Sequence, residues 1–185
     1  MRLNDFEIRA ALKEKLCDQS IKPRAIVDEL RVHNGNAIAD VVALYSEAHC
    51  FEIKGYNDKI ERVLRQGNYY NTAFRKITLV TTENHLNKAL EIIPTHWGVI
   101  IACSSSGKVR LKHVRRSNSN PFFDKELALL TLWKSEMLDI LNENKHKKKP
   151  RELLAQLISG SKRKVELSVN ICDALVDRSM KSATV

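Results

Sequence analysis

No apolar run in this chain approaches the roughly 20 residues needed to cross a bilayer, which argues against a transmembrane helix. Cysteine is sparse and dispersed. Cys17, Cys50, Cys103 and Cys172 form no C-x-x-C pair, so a reducing compartment is expected and a cysteine zinc site is not. His33, His49, His85, His96, His113 and His146 are scattered, with no cysteine partners at ligand spacing. The six glycines make no phosphate-cradling loop, which argues against a P-loop ATPase. Ser104-Ser105-Ser106-Gly107 lacks the G-x-S-x-G context of a hydrolase nucleophile. Met1 to Asp5 lacks the basic-then-apolar order of a signal peptide, so the cytoplasm is the expected location, with no membrane partner.

Acid is in deficit. Lys and Arg number 31 against 22 Asp and Glu, a net charge of +9. Such a balance favours a polyanionic partner, nucleic acid before an anionic membrane surface. The length of 185 residues suits one domain with an appendage and is enough to bury a core without disulfide staples.

The periodicity predicts a helix over 4–18, then a short one opened by Pro23 and running to about Leu30. Strands are predicted at Ala37–Tyr45 and His49–Lys54, joined by a tight turn, with Leu30–His33 available to pair alongside. A helix over 58–73 follows, then a strand at Lys76–Thr81 and a helix from Glu83 to Ile92. Strands at Gly98–Cys103 and Val109–Val114, the latter at an edge, close this part. Beyond Pro121 the character becomes helical, with a long amphipathic helix over 124–144 and two more over 151–159 and 163–179. The expected fold class is α/β, a central mixed β-sheet flanked by helices. Its core would occupy 1–120, with a basic C-terminal helical extension over 121–185 packed on it.

Three residues carry chemistry. Asp40 and Glu52 each interrupt an apolar strand, where an acid is costly unless paired or metal-bound. Glu52 and Lys54 are two apart and so share a face, while Ile53 points the other way. If the strands pair through the turn, Asp40 comes alongside Glu52. Two carboxylates and an ammonium suit phosphodiester cleavage: hard oxygens hold Mg²⁺ or Mn²⁺, and the lysine stabilises developing negative charge. On the next helix Asp58, Arg62, Gln66 and Tyr70 recur every four residues on one face. Asp58 suits a helix N-terminus better than a ligand role, and Glu29 equally suits capping or a salt bridge.

The pattern Asp40, then Glu52-Ile53-Lys54, resembles the motif of the PD-(D/E)XK nuclease superfamily, with Ala39 where the motif has its nominal proline. With Glu29 before it and Gln66-x-x-x-Tyr70 after it, the stretch from Ile26 to Thr82 is similar to a small bacterial and phage family within that superfamily. The tail from Leu129-Leu130-Thr131-Leu132-Trp133 is similar as well. The resemblance implies a restriction-endonuclease-like core of helix, three-stranded meander, helix and strand. It implies a metal at Asp40, Glu52 and Ile53, catalysis by Asp40, Glu52 and Lys54, and support from Glu29, Gln66 and Tyr70.

Two basic patches are candidate phosphate contacts. One is Lys108, Arg110, Lys112, Arg115 and Arg116. The other surrounds the tail junctions and includes Lys147, Lys148, Lys149 and Arg163. The leading expectation is a metal-dependent nuclease acting on nucleic acid, DNA before RNA, with a homodimer favoured if it cuts both strands. Two rivals stand beside it: a catalytically silent nucleic-acid-binding protein, and a protein-interaction regulator from a phage or mobile element.

Overall fold

A computed structural model describes residues 2–105, 107–142 and 144–182. The chain opens with α1 (Asp5–Cys17), started by a capping box between Asn4 and Glu7. Three strands follow: β1 (Ala25–Val32), β2 (Ala37–Leu44) and β3 (Ala48–Lys54). Next come α2 (Arg62–Ala73), β4 (Lys76–Thr82), α3 (Leu86–Ile92), β5 (Gly98–Ser105) and β6 (Lys108–Arg115). The tail holds α4 (Lys125–Leu129), α5 (Lys134–Leu141), α6 (Arg151–Ser161) and α7 (Lys164–Ser182). The six strands make one mixed sheet in sequence order. β1, β2 and β3 form an antiparallel meander, β3–β4–β5 run parallel, and β6 returns antiparallel at the edge.

The sheet is apolar on both faces, and each face has its own cover. Ile8, Leu12 and Leu16 of α1 recur at helical spacing and pack on Val41, Phe51, Ile53, Val80 and Ile100. The opposite face carries Val42, Leu44, Cys50, Ile77 and Leu79. It is covered by α2 and α4 to α7 through Tyr70, Leu129, Met137, Leu154, Leu167 and Leu175. This larger cluster joins residues on both sides of residue 120.

Three expectations need correction. Residues 25–32 are a strand, where a helix to Leu30 was predicted. Ile26 and Val27 favour the pleated form, and seven register pairs with β2 outweigh the local helical signal. The helix predicted over 124–144 is two short ones. It breaks after Leu129 because Arg151 donates to the carbonyls of Leu130 and Leu132, which satisfies the freed ends. The Glu136 carboxylate accepts from Trp133 N and restarts the helix. Glu143 lies outside the described residues. The strand predicted to end at Cys103 runs on through Ser104 and Ser105, Gly107 takes the left-handed φ of 75°, and Ser106 lies outside the described residues.

Candidate active site

On β3, Cys50 belongs to the larger cluster and Phe51 and Ile53 to the smaller, so Glu52 and Lys54 turn toward α2. Both are buried: Glu52 has no exposure and Lys54 has 6%. The register of β2 on β3 runs from Leu44↔Ala48 to Val41↔Phe51, and one more step sets Asp40 opposite Glu52. The ladder stops there. In its place the Asp40 carboxylate accepts the Ile53 N–H at 2.7 Å.

The neighbouring strand explains why the ladder gives way. Ala25 and Val27 face the larger cluster before Glu29, and Leu30 and Val32 face it after, so the alternation slips by one residue. β2 makes the matching slip between Ala39 and Val42. Glu29 sits in the slip with φ 54°, a left-handed backbone that a non-glycine residue adopts at a cost of about 1 kcal/mol. Glu29 and Asp40 therefore leave the two core faces and line one cleft.

That cleft has a volume of about 730 Å³. It is lined by Glu29, Gly35, Asn36, Asp40, Arg62, Arg65, Gln66 and Tyr69 among others. Behind its lining residues Asp40 and Gln66 lies a connected polar network that is itself buried. Lys54 Nζ donates to Glu52 Oε1 and, at 3.2 Å, to the Ile53 carbonyl. The Tyr70 hydroxyl lies 2.8 Å from Glu52 Oε2 and 2.6 Å from the Ile38 carbonyl. One phenolic proton cannot serve both acceptors at once. A proton on Glu52 resolves the conflict: Glu52 then donates to Tyr70, and Tyr70 donates to Ile38.

Electrostatics point the same way. Burial, and then the charge of Asp40, push Glu52 up to about 7, against the opposing influence of Lys54. Burial also raises Asp40, offset in part by the Ile53 N–H. The phenol of Tyr70 is raised by burial and by Glu52. Arg9, from α1, donates to the Asp40 carbonyl at 2.9 Å and lies 3.5 Å from its carboxylate.

The structure thus brings Asp40, Glu52, Lys54, Gln66 and Tyr70 together, with Glu29 across the strand pair. Gln66 Nε2 approaches the Tyr70 hydroxyl at 3.4 Å, while its buried Oε1 has no partner among the described residues. Asp58 is apart: it accepts from Gly55 N at 2.7 Å in the turn before α2, and it makes no ion pair with Arg62 among the described residues. Two participants escaped the sequence reading. Arg9 is 31 positions from Asp40 and carries no local signal, and Arg65 lines the cleft one turn from Arg62.

Tyr70→Phe should destabilise the protein by about 1–2 kcal/mol, because it strips the donor from the Ile38 carbonyl and the hydrogen-bond partner from the buried Glu52 carboxyl. Urea denaturation reads this directly. A variant as stable as the parent would show that the Tyr70 hydroxyl contributes nothing.

The basic positions divide. Lys108, Arg110 and Lys112 are exposed along one side of edge strand β6. Arg116 is exposed beyond it, whereas Arg115 donates to the carbonyls of Trp97 and Pro94 and is structural. Lys147 and Lys148 are exposed and Lys149 half-buried, just before Arg151, which bonds Asn34 at 2.7 Å. Asn34 adjoins Gly35 and Asn36 of the cleft. Arg163 is exposed between α6 and α7.

Fold and site define a mixed α/β protein with a buried carboxylate–lysine network beside an open cleft. Residues 2–178 match the family model described as bacteriophage P4 protein cII, and the chain belongs to that family. It is 28% identical over 142 residues to protein cII of Enterobacteria phage P4, an alignment covering 76% of this chain and 54% of that protein. The chain therefore spans about half the length of this relative. Among solved structures it is similar to a protein of unknown function from Silicibacter pomeroyi. The identity is 16% and the TM-score 0.39, over 51% of this chain and 60% of that one. No helix among the described residues is long and apolar enough to cross a membrane.

Proposed function

We propose that this chain is a metal-dependent nuclease of PD-(D/E)XK type, acting on nucleic acid, with DNA the first candidate. The observation that carries this reading is the pairing of Asp40 with Glu52 across β2 and β3, with Lys54 bound to Glu52. Elsewhere in a core, a fully buried glutamate raised by burial and by a half-buried aspartate beside it would be a liability without a compensating role. The element order α1, β1–β2–β3, α2, β4 supports it, as the superfamily resemblance implies that succession.

The donor set suits a hard divalent cation, Mg²⁺ or Mn²⁺, in kind. Asp40 and Glu52 would hold it, with the Ile53 carbonyl, and the orphaned Gln66 Oε1 is a further oxygen nearby. Among the described residues no group of three or more His, Cys, Asp or Glu is arranged as a metal site, so main-chain and substrate oxygens would complete the set. Such an ion, when bound, polarises a phosphoryl oxygen and lowers the pKa of a bound water. Lys54 supplies fixed positive charge at the reacting phosphate, and its bond to Glu52 sets its position. Tyr70 and Gln66 orient Glu52. Arg62 and Arg65 meet the phosphate backbone at the mouth of the cleft. Cutting both strands of a duplex would call for two copies about a two-fold axis.

A second reading has its own support. Family membership makes this a phage-type protein, which fits a nucleic-acid-binding or protein-binding regulator of a phage or mobile element more directly than it fits an enzyme. The full engagement of both Glu52 oxygens by Lys54 and Tyr70 also suits a site that has become structural.

Cleavage assays separate the two. The parent and Asp40→Ala are incubated with supercoiled plasmid, linear duplex, single-stranded DNA and RNA in Mg²⁺, Mn²⁺ or EDTA. The nuclease reading expects metal-dependent cutting by the parent and none by the variant. Tight binding without turnover in either metal would establish the second reading.

A further inference from the structure

A second cavity, of about 480 Å³, opens on the other face of the sheet, beside the C-terminal half of α1. Leu16, Tyr45, Phe51 and Ile100 give it apolar walls. His49 stacks on Phe51 at 4.2 Å and bonds Thr78 Oγ1 at 2.8 Å, presenting a flat surface. Lys15, Lys76, Arg115 and Arg116 stand around it.

Among the described residues these four cations form no ion pair. The one acid among the described lining residues is Glu47, and Arg75 engages it at 2.9 Å. Lys15 and Arg115 donate to main-chain carbonyls, which leaves their charge intact. Lys76 and Arg116 are exposed and form no ion pair among the described residues. The histidines register the excess. Burial first, then Lys76 and His113, bring His49 down to about 3. Burial first, then Lys15 and Arg116, lower His113. Like charges gathered around an apolar concavity focus a positive potential into it.

We propose that this cavity binds a small phosphorylated molecule with a flat apolar portion, of the kind a nucleoside monophosphate presents. Its phosphate would meet Lys76 and Arg116 at the rim. Its ring would lie against Tyr45 and the His49–Phe51 stack, which are flat faces that tolerate any base. The volume falls in the usual range for small-molecule sites, roughly 300–1,000 Å³, and is too confined for a duplex. The site shares no lining residue with the cleft beside Glu52, so it stands apart from the nuclease reading.

Calorimetry of the purified chain with adenosine monophosphate, uridine monophosphate, adenosine and inorganic phosphate tests it. Both nucleotides should bind more tightly than adenosine or phosphate alone. The double variant Lys76→Glu, Arg116→Glu changes two exposed side chains, and its melting curve without ligand should match the parent's. It should lose at least about tenfold in nucleotide affinity, while Glu52→Gln keeps the parent's affinity. Three results would overturn the proposal: no heat at millimolar nucleotide, equal affinity in the double variant, or binding confined to oligonucleotide strands.

Discussion

Lys54→Met should abolish the proposed cleavage, and it should unfold about 3 kcal/mol more easily than the parent near pH 8, with that deficit closing near pH 5. The ammonium of Lys54 lies against a glutamate with no solvent exposure. Removing it leaves a buried carboxylate without its cation, and breaking one side of a buried pair is far more damaging than replacing both. The sign of the pH dependence follows from Glu52. Its folded pKa, about 7, lies above the ordinary value of 4.5. Its contribution to stability is therefore full below 4.5 and is lost as pH rises through 7. In the variant Lys54 no longer holds that pKa down, so the loss at alkaline pH is larger. Once Glu52 is protonated, the missing cation no longer matters. Urea curves at the two pH values read the effect. A deficit that stays the same at both would mean that Lys54 is a packing residue and not the partner of an ionised Glu52. Loss of cleavage counts for Lys54 only where those curves show the variant folded under the assay conditions.

How much of this arrangement could be read beforehand depended on the range of the physics involved. Glu52 and Lys54 were legible because strand alternation is local: two residues apart means one face, whatever the partner strand does. Asp40 was legible as an acid among Ala39, Val41 and Val42. Tyr70 and Gln66 were legible as an i,i+4 pair, and the structure sets Tyr70 against Glu52. The slip at Glu29 was not legible, because a left-handed glutamate in mid-strand is imposed by two strands repacking together and leaves no trace in residue type. β1 itself was misread as helix for a related reason. Its acids Asp28 and Glu29 suit a helix locally, and only pairing with β2 makes it a strand. Arg9 shows the limit most plainly, since nothing at position 9 announces a contact with position 40.

The basic patches carry the second large effect, because sequence showed two and the fold sets only one beside the cleft. Arg151 bonds Asn34, which adjoins Gly35 and Asn36 of the cleft, and Lys147–Lys149 immediately precede Arg151 in the chain. The exposed lysines and arginine of β6 are on the far edge of the sheet, four strand spacings from β2, or about 19 Å. On the proposed nuclease reading, a strand whose phosphate entered the cleft would pass Arg62 and Arg65 and then Lys147–Lys149, and would leave β6 untouched. Reversing charge in Lys147→Glu, Lys148→Glu, Lys149→Glu should weaken DNA binding by about a hundredfold or more at moderate salt. It should also flatten the salt dependence by about 0.9 in log–log slope for each phosphate contact removed. The matched triple Lys108→Glu, Arg110→Glu, Lys112→Glu should change affinity by no more than the severalfold expected of a distant charge. Affinity measured by fluorescence anisotropy across a salt series distinguishes the two. If the β6 triple proved the more damaging, the nucleic acid would lie along the opposite edge, and the cleft beside Asp40 would not be where it is bound.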